Sequence, residues 1–129
     1  MIIENDHTEQ IDELLSKWEE SYKKGLLSFW ILLQLKQRPT YPFEMKDIIL
    51  DLSQGTISAE ENSLYRALRR FEDLHIVTSK LEPTGQGPDR RYYELTPRGS
   101  YLLRAFIRRN ILIFQTHSVS EKINSALED

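Results

Sequence analysis

The stretch "GPDRRYYELTPRG" at residues 87–99 decides the fold, because it contains a turn, a strand and a helix start in succession. Glycine and proline open it as turn residues, and residues 90–96 then alternate as a half-buried strand does. Thr96 and Pro97 have the pattern of a helix N-cap followed by the first helical residue, where the missing N–H of proline costs nothing. The stretch therefore predicts a strand that leads directly into a helix.

A second strand precedes this stretch. Residues 76–82, "IVTSKLE", are rich in β-branched residues and alternate, and the glycine-containing turn "PTGQGPD" separates them from residues 90–96. Two such runs around a turn predict a β-hairpin. Because side chains alternate along a strand, Tyr93 shares the inward face of Leu95 and is predicted to lie in the core, whereas Tyr92 is the more exposed tyrosine.

The segment before the hairpin predicts a helix at residues 59–73. Ser58 and Glu61 have the spacing of a capping box, in which each side chain satisfies a backbone N–H near the helix start. One face of this helix is an apolar stripe, so the opposite face is expected to meet solvent or a partner. That opposite face carries Asn62, Ser63, Arg66, Arg69 and Arg70.

The helical spacing of apolar residues predicts further helices at residues 8–24, 26–36, 43–52 and 97–116. Gly25 is expected to break the first from the second, and the second, which is apolar nearly all round, is expected to be central and buried. The predicted fold is therefore mainly α with a small β-hairpin. Its order is that of a winged helix-turn-helix with an extra N-terminal and an extra C-terminal helix, both predicted to serve dimerisation.

This layout suits the recognition of double-stranded DNA. A helix fits the major groove, and a hairpin tip can reach the neighbouring backbone. Asparagine and arginine form bidentate contacts with adenine and guanine edges, so the polar face of residues 59–73 is interpreted as a reading surface. The alternative is an ordinary solvated helix face, which would have a similar composition.

The segments "NSLYRALRRFEDLHIV" (residues 62–77) and "GPDRRYYELTPRG" resemble the PadR family of bacterial transcriptional regulators. That family pairs a "SLYxxLxRLExxGLI" recognition helix with a "GPxRKYYxLTxxG" wing, and the likeness covers roughly residues 25–106. The chain departs from the family pattern at residues 41–44, "YPFE", and at His75, where the family has a glycine that closes the recognition helix. The second departure is expected to affect the angle of the wing.

The resemblance implies roles for residues on the recognition helix and the wing. Ser63, Tyr65 and Arg66 would lie at the DNA backbone and groove, and Arg90 and Arg91 would be the phosphate contacts of the wing. Together with the polar helix face, the residues predicted to bind DNA are Asn62, Ser63, Tyr65, Arg66, Arg69, Arg70, Arg90, Arg91 and Tyr92.

A helix-turn-helix protein that reads a palindrome needs a two-fold axis. Residues 111–114, "ILIF", are too apolar for a helix with one solvated side, so residues 97–116 and 8–24 are predicted to form a homodimer interface. The alternative is that both segments cover the core of their own chain. The candidate interface residues are Leu14, Trp18, Tyr22, Leu103, Phe106, Ile107 and Phe114.

The 129-residue chain is long enough for one compact domain. Residues 25–96 are predicted to be the winged-helix DNA-binding domain, residues 1–24 a dimerisation helix, and residues 97–129 a dimerisation helix and tail. The chain is acidic, with a net charge of −3, but residues 58–109 carry ten Lys and Arg against seven Asp and Glu. This distribution argues against indiscriminate binding of polyanions and favours a local, directed contact.

No motif of an enzyme or of a metal site occurs. The three histidines are scattered, cysteine is absent, and there is no nucleophile elbow, P-loop or zinc-protease motif, so no catalytic residue, metal or cofactor is expected. A chain without cysteine fits a reducing compartment. With no apolar run long enough for a membrane span and no signal-peptide pattern, a cytoplasmic location is expected.

The sequence thus predicts a dimeric transcriptional regulator, most simply a repressor that binds an inverted-repeat operator. Two alternatives keep the fold. One is a protein-interaction module that uses Trp18, Trp30 and the C-terminal helix. The other is a ligand-sensing regulator with a small-molecule effector at the dimer interface.

Overall fold

The computed structural model describes residues 2–128, with side chains described from His7 onward. The elements along these residues are α1 (Ile2–Gln37), α2 (Pro42–Leu52), α3 (Glu61–Asp73), β1 (Val77–Glu82), β2 (Arg90–Leu95), α4 (Pro97–Phe106), a π-helical turn (Ile107–Ile111), a 3-10 turn (Leu112–Gln115) and α5 (His117–Ala126). The predicted fold class, a mainly α winged helix-turn-helix with one hairpin, is confirmed.

One hydrophobic core joins the C-terminal third of α1 to the winged-helix elements. α1 packs against α2, α4 and β2, while α3 packs against α2 and β1. The buried apolar side chains come from all of these elements and the loops between them: Ile31, Leu32, Leu35, Met45, Ile49, Ile57, Ala59, Leu64, Leu68, Ile76, Val77, Tyr93 and Leu103. The prediction that the helical segment after Gly25 is central and buried is confirmed.

Gly25 does not break the first helix, so this prediction was wrong. α1 runs without interruption from Ile2 to Gln37. A single glycine in a helix interior costs only about 1 kcal/mol relative to alanine, and neighbours such as Lys24, Leu26 and Leu27 are good helix formers. The helix therefore continues through Gly25, and its N-terminal half is exposed throughout residues 7–22.

The capping box predicted for residues 58 and 61 is absent. α3 begins at Glu61 with Glu60 as its N-cap, and no side chain caps it. Ile57 and Ala59 are buried while the residues between and after them are exposed, which is the alternation of an extended segment. The Ile57 N–H donates to Ser53 Oγ at 2.9 Å. These anchors keep the chain extended, so α3 starts two residues later than predicted.

The C-terminal segment is not the single helix predicted at residues 97–116. α4 ends at Phe106, the π-helical turn follows, and the 3-10 turn comes after it. The Asn110 side chain donates to the Phe106 carbonyl at 3.2 Å, so it competes with the helical ladder at this point. Thr116 is extended and caps α5 through its side chain, so much of the predicted tail is helical.

The hairpin is confirmed, and it is fixed to the body of the protein at its base. β1 and β2 are antiparallel, with Val77 opposite Leu95. Thr40 and Tyr93 exchange two backbone hydrogen bonds, both of 3.0 Å, which add a third, one-residue strand beside β2. As predicted, Thr96 caps α4, and its hydroxyl oxygen accepts from a backbone N–H in the first turn at 3.0 Å.

His75 ends α3 in the left-handed conformation, with φ of 61°. The Ile76 N–H donates to the Phe71 carbonyl at 2.8 Å, and the His75 N–H donates to the Glu72 carbonyl at 3.0 Å. These are the two hydrogen bonds of a Schellman motif, which glycine usually completes. The chain thus leaves α3 in the conformation that glycine usually adopts, although histidine has a steric cost there.

Gly99→Ala is expected to destabilise the fold by about 1–3 kcal/mol. A Cβ at Gly99 would clash with the Ile76 carbonyl oxygen and would lie 2.7 Å from Leu95 Cδ1. Gly25→Ala is the matched control, because it is also helical and its Cβ would meet nothing within 4 Å. This control should stabilise by about 0.5–1 kcal/mol. Urea unfolding at one protein concentration measures the change in the free energy of unfolding for both variants. Equal changes would contradict the close packing at Gly99.

His75→Gly should raise the free energy of unfolding by about 1 kcal/mol, because glycine adopts a positive φ without a clash. Thermal unfolding followed by circular dichroism measures the change. His75→Ala serves as the control, since alanine has the same Cβ clash as histidine. A similar gain in both variants would show that the backbone conformation is not the cause.

Candidate nucleic-acid interface

The outward face of α3 carries most of the predicted reading residues on one surface. Its exposed members are Asn62, Arg66, Arg69 and Arg70, and its half-buried members are Ser63 and Tyr65. Arg66 Nη2 donates to Ser63 Oγ at 3.3 Å, which aligns this guanidinium along the helix. Among the described residues, no carboxylate forms an ion pair with an α3 arginine. The positive charge of the face is thus not neutralised by salt bridges within the described chain.

An open cleft of about 310 Å³ lies beside this face, between the start of α2, the recognition helix and the wing tip. Its lining residues are Tyr41, Pro42, Phe43, Tyr65, Thr84, Gln86, Pro88, Asp89, Arg90 and Arg91. Two arginines against one aspartate make the cleft basic, and hydroxyl and amide groups supply further hydrogen-bond donors. We call this space the wing cleft.

Arg90 is supported by aromatic rings at the edge of the wing cleft. Its guanidinium carbon lies 4.5 Å from the centroid of the Tyr41 ring. Tyr41 in turn meets Tyr92 edge to face, with the ring centroids 5.3 Å apart. A guanidinium stacked on a ring keeps the N–H groups at its edge available to an acceptor. Tyr92 is half-buried in this arrangement and supports the ring on which Arg90 lies.

Arg91 belongs to the opposite face of β2 and has different partners. Its Nη1 donates to Ser79 Oγ at 3.0 Å, and Ser79 Oγ donates to Glu72 Oε2 at 2.5 Å. Ser79 is on β1 and Glu72 is near the end of α3, so this chain of contacts joins the recognition helix to both strands. Arg91 remains exposed and lines the wing cleft.

Tyr93 is a packing residue, as predicted from its alternation with Leu95. Only 3% of its surface is exposed. Burial raises the pKa of the Tyr93 phenol, and the nearby Glu72 carboxylate raises it further. The ring is therefore neutral and inside the core, away from the wing cleft.

The contribution of the segment before α2 was not predicted from the sequence. Arg38 donates to both carboxylate oxygens of Glu44, at 2.8 and 3.2 Å, and this hydrogen bonding raises the pKa of Arg38. The Tyr41 ring supports the Arg90 guanidinium. The departure from the family pattern at residues 41–44 marks this segment, but nothing in the pattern indicates which arginine Tyr41 or Glu44 would meet.

The candidate dimerisation residues fall into two groups. Leu14, Trp18, Tyr22 and Phe114 each expose more than half of their surface. The remaining three contact their own chain: Leu103 is buried in the core and Ile107 packs against it. The Phe106 ring stacks on Phe29, with the ring centroids 5.8 Å apart. Leu103 has almost no surface left for a partner, so it is not an interface residue.

No group of three or more His, Cys, Asp or Glu side chains among residues 7–128 is placed to hold a metal ion. The described histidines lie apart from one another, with His75 at the end of α3 and His117 at the start of α5. No helix of the described chain is long and apolar enough to cross a membrane.

The fold and this surface define a winged helix-turn-helix protein with an exposed, arginine-rich face on α3. Residues 31–105 match the family described as "Transcriptional regulator PadR-like family". The chain belongs to that family, which comprises transcriptional regulators and not enzymes, and the resemblance inferred from the recognition helix and wing is confirmed.

Several solved structures have a similar fold. A PadR family transcriptional regulator from Eggerthella lenta is 26% identical, with a TM-score of 0.65 over 92% of this chain and 96% of that chain. A transcriptional regulator from Clostridium thermocellum is 21% identical, with a TM-score of 0.66 over 84% and 99%. Bacillus subtilis PadR in complex with operator DNA is 20% identical, with a TM-score of 0.59 over 64% and 47%. No curated protein matches the chain.

Proposed function

We propose that the chain is a homodimeric transcriptional regulator that binds double-stranded DNA and represses transcription from an inverted-repeat operator. The observation that carries this proposal is the position of the α3 arginines, which form no salt bridge among the described residues, beside a basic cleft under the wing. The similarity to a Bacillus subtilis protein solved with operator DNA supports the same class of partner.

In this proposal α3 lies in the major groove and reads base edges. Arg66 and Arg70 are separated by one helical turn and project from the same side, where each can form a bidentate contact with guanine. Asn62 has the donor and acceptor that adenine requires. Ser63 and Tyr65, at the edges of the face, suit contacts to the sugar-phosphate backbone.

The wing supplies contacts to phosphates. Arg90 and Arg91 come from opposite faces of β2 and both line the wing cleft, so a phosphate that enters the cleft can be approached from two directions. Each neutralised phosphate releases condensed counterions, and the affinity for DNA therefore falls as the salt concentration rises. These contacts set the register of the protein on the duplex without reading its sequence.

The N-terminal half of α1 supplies the dimer interface. Ile11, Leu14, Leu15, Trp18 and Tyr22 fall within roughly 100° of arc on this helix, and all are exposed. Burying one large apolar side chain stabilises by about 1.5–3 kcal/mol, so a stripe of five strongly favours a second copy as its cover. In the 3-10 turn, Phe114 is exposed together with its neighbours Leu112 and Ile113, so the C-terminal segment also offers an apolar surface.

Charge also favours contact between the two terminal segments of different copies. Acidic residues flank the apolar stripe of α1, and Arg108 and Arg109 in the π-helical turn are exposed.

A two-fold axis would place the two recognition helices about one turn of DNA apart, near 34 Å. A dimer bound across a promoter in this way excludes polymerase sterically, which is the basis for proposing repression.

Arg66→Ala should weaken binding to a duplex selected from a random pool by roughly 5- to 150-fold, because it removes a bidentate base contact. Arg91→Ala should weaken binding to all sequences alike and reduce the slope of log affinity against log salt by about 1. Gel shifts at several salt concentrations measure both effects.

Lys122→Ala is the control for these variants, because it removes one exposed positive charge far along the chain on α5. Its affinity should equal that of the unmodified protein, with light scattering used to confirm that all variants have the same mass. Unchanged affinity in both arginine variants would contradict the assigned surface. Failure of the unmodified protein to bind even random duplex at low salt would favour the protein-interaction alternative.

Trp18→Glu should convert the dimer into a monomer at micromolar concentration, since it places a charge in the middle of the apolar stripe. Ser16→Glu adds the same charge on the opposite side of α1 and should leave the dimer intact. Light scattering reports the mass of each variant. A monomeric mass for the unmodified protein would refute the proposed interface.

A further inference from the structure

Three side chains from three different elements form a hydrogen-bonded chain at the base of the wing. Arg91 on β2 donates to Ser79 on β1 at 3.0 Å, and Ser79 donates its hydroxyl proton to Glu72 on α3 at 2.5 Å. The directions are compatible, since a serine hydroxyl has one proton to donate and lone pairs to accept. The carboxylate polarises the hydroxyl, which makes its oxygen a better acceptor for the guanidinium.

This arrangement orients Arg91 without neutralising it. Glu72 and Ser79 are half-buried, whereas Arg91 is exposed. Among residues 7–128, whose side chains the structure describes, no carboxylate makes an ion pair with Arg91, so the negative charge of Glu72 acts through the serine and not by direct contact. A guanidinium has five N–H donors, and only one of them, at Nη1, is committed to Ser79. Those that remain are available in the wing cleft, which Arg91 lines.

We propose that Glu72 and Ser79 are positioning residues for DNA binding, which hold the Arg91 guanidinium in place over the wing cleft to receive a backbone phosphate. This inference rests on the proposed function, because it assumes that the wing contacts DNA. It adds two residues that make no DNA contact themselves, and one of them is an acid. The same chain of contacts ties the wing to the recognition helix, so it couples the phosphate contact to the base-reading surface.

The proposal and simple electrostatics predict opposite effects on DNA affinity when Glu72 is replaced by alanine. An acid at the end of the recognition helix repels the phosphates of DNA, so electrostatics alone predicts that its removal strengthens binding. If Glu72 positions Arg91, its removal frees the arginine side chain and weakens binding. Losing an ordered hydrogen-bond partner of this kind corresponds to roughly a three- to tenfold change in affinity.

Asp73 provides the matched control for Glu72. It is the next residue on α3, carries the same charge and is exposed, and it has no place in the hydrogen-bonded chain. Glu72→Ala and Asp73→Ala remove equal charges from adjacent positions. We expect Glu72→Ala to bind DNA three- to tenfold more weakly and Asp73→Ala to bind equally or more tightly, on the same fluorescein-labelled duplex selected from a random pool by the unmodified protein.

Substitutions at Ser79 test the hydroxyl itself. Ser79→Ala should weaken binding as Glu72→Ala does, and Ser79→Thr, which keeps the hydroxyl on a strand, should restore it. The slope of log affinity against log salt should fall in Ser79→Ala toward the value of Arg91→Ala, a decrease of up to about 0.9 for one phosphate contact. A role confined to stability would leave this slope unchanged. The unfolding midpoint of each variant, measured in parallel, separates a loss of stability from a loss of Arg91 positioning.

The double variant Ser79→Ala/Arg91→Ala completes the test, because a positioning residue has nothing to position once its target is gone. Its affinity should equal that of Arg91→Ala alone. Additive losses would overturn the inference, as would unchanged affinity in Ser79→Ala and Glu72→Ala while Arg91→Ala binds weakly. If the unmodified protein does not bind the random-sequence duplex at low salt, the proposed function fails and this inference fails with it. That result is distinct from additive losses and from unchanged affinity in the Ser79 and Glu72 variants, which contradict only the positioning role.

Discussion

The two backbone hydrogen bonds between Thr40 and Tyr93 are the constraint on which the rest of the site depends. Thr40 is fully buried, and the Gln34 side chain donates to its hydroxyl at 3.3 Å, so the bridge is built into the core. Side chains alternate along β2, and the bridge fixes which face each of them takes. A shift of one residue would exchange the faces and move both arginines of the wing away from their present partners.

The partners of the wing arginines explain how an acidic chain keeps a usable basic surface. Arg90 lies on an aromatic ring, and Arg91 is held by a hydroxyl group. Neither partner is charged, so a phosphate can approach without first displacing a carboxylate. Arg38 shows the contrary case, because both of its terminal nitrogens are engaged by Glu44. Such an arginine shapes the start of α2 and has little capacity left for DNA.

Local signals in the sequence predicted the parts of the fold that are themselves local. The alternation of residues 90–96 and the Thr96-Pro97 pair lie within one strand and one turn, and both were confirmed. Gly25 and Ser58 are also local signals, but neither had the predicted effect. One glycine costs a helix only about 1 kcal/mol, and α1 continues through it. Past Ser58, buried Ile57 and Ala59 keep the chain extended, because the burial of a large side chain outweighs a capping preference.

The sequence indicates the residue types of the candidate site but not the contacts among them. Alternation shows that Arg90 and Arg91 take opposite faces, and it therefore predicts that their environments differ. It cannot show that one face meets Tyr41 and the other meets Ser79, because those partners come from other segments of the chain. The supporting roles of Tyr41, Ser79 and Glu72 depend on tertiary contacts, for which a single sequence contains no direct signal.

The continuity of α1 has a consequence for the proposed dimer. The C-terminal third of this helix is part of the core that carries α3, and its N-terminal half carries the exposed apolar stripe. A break at Gly25 would have let the two parts move independently. Because one helix contains both, a second copy paired along the stripe is held at a defined distance and angle from the recognition helix of the first. The spacing of the two half-sites on DNA would then be set by a rigid helix and not by a linker.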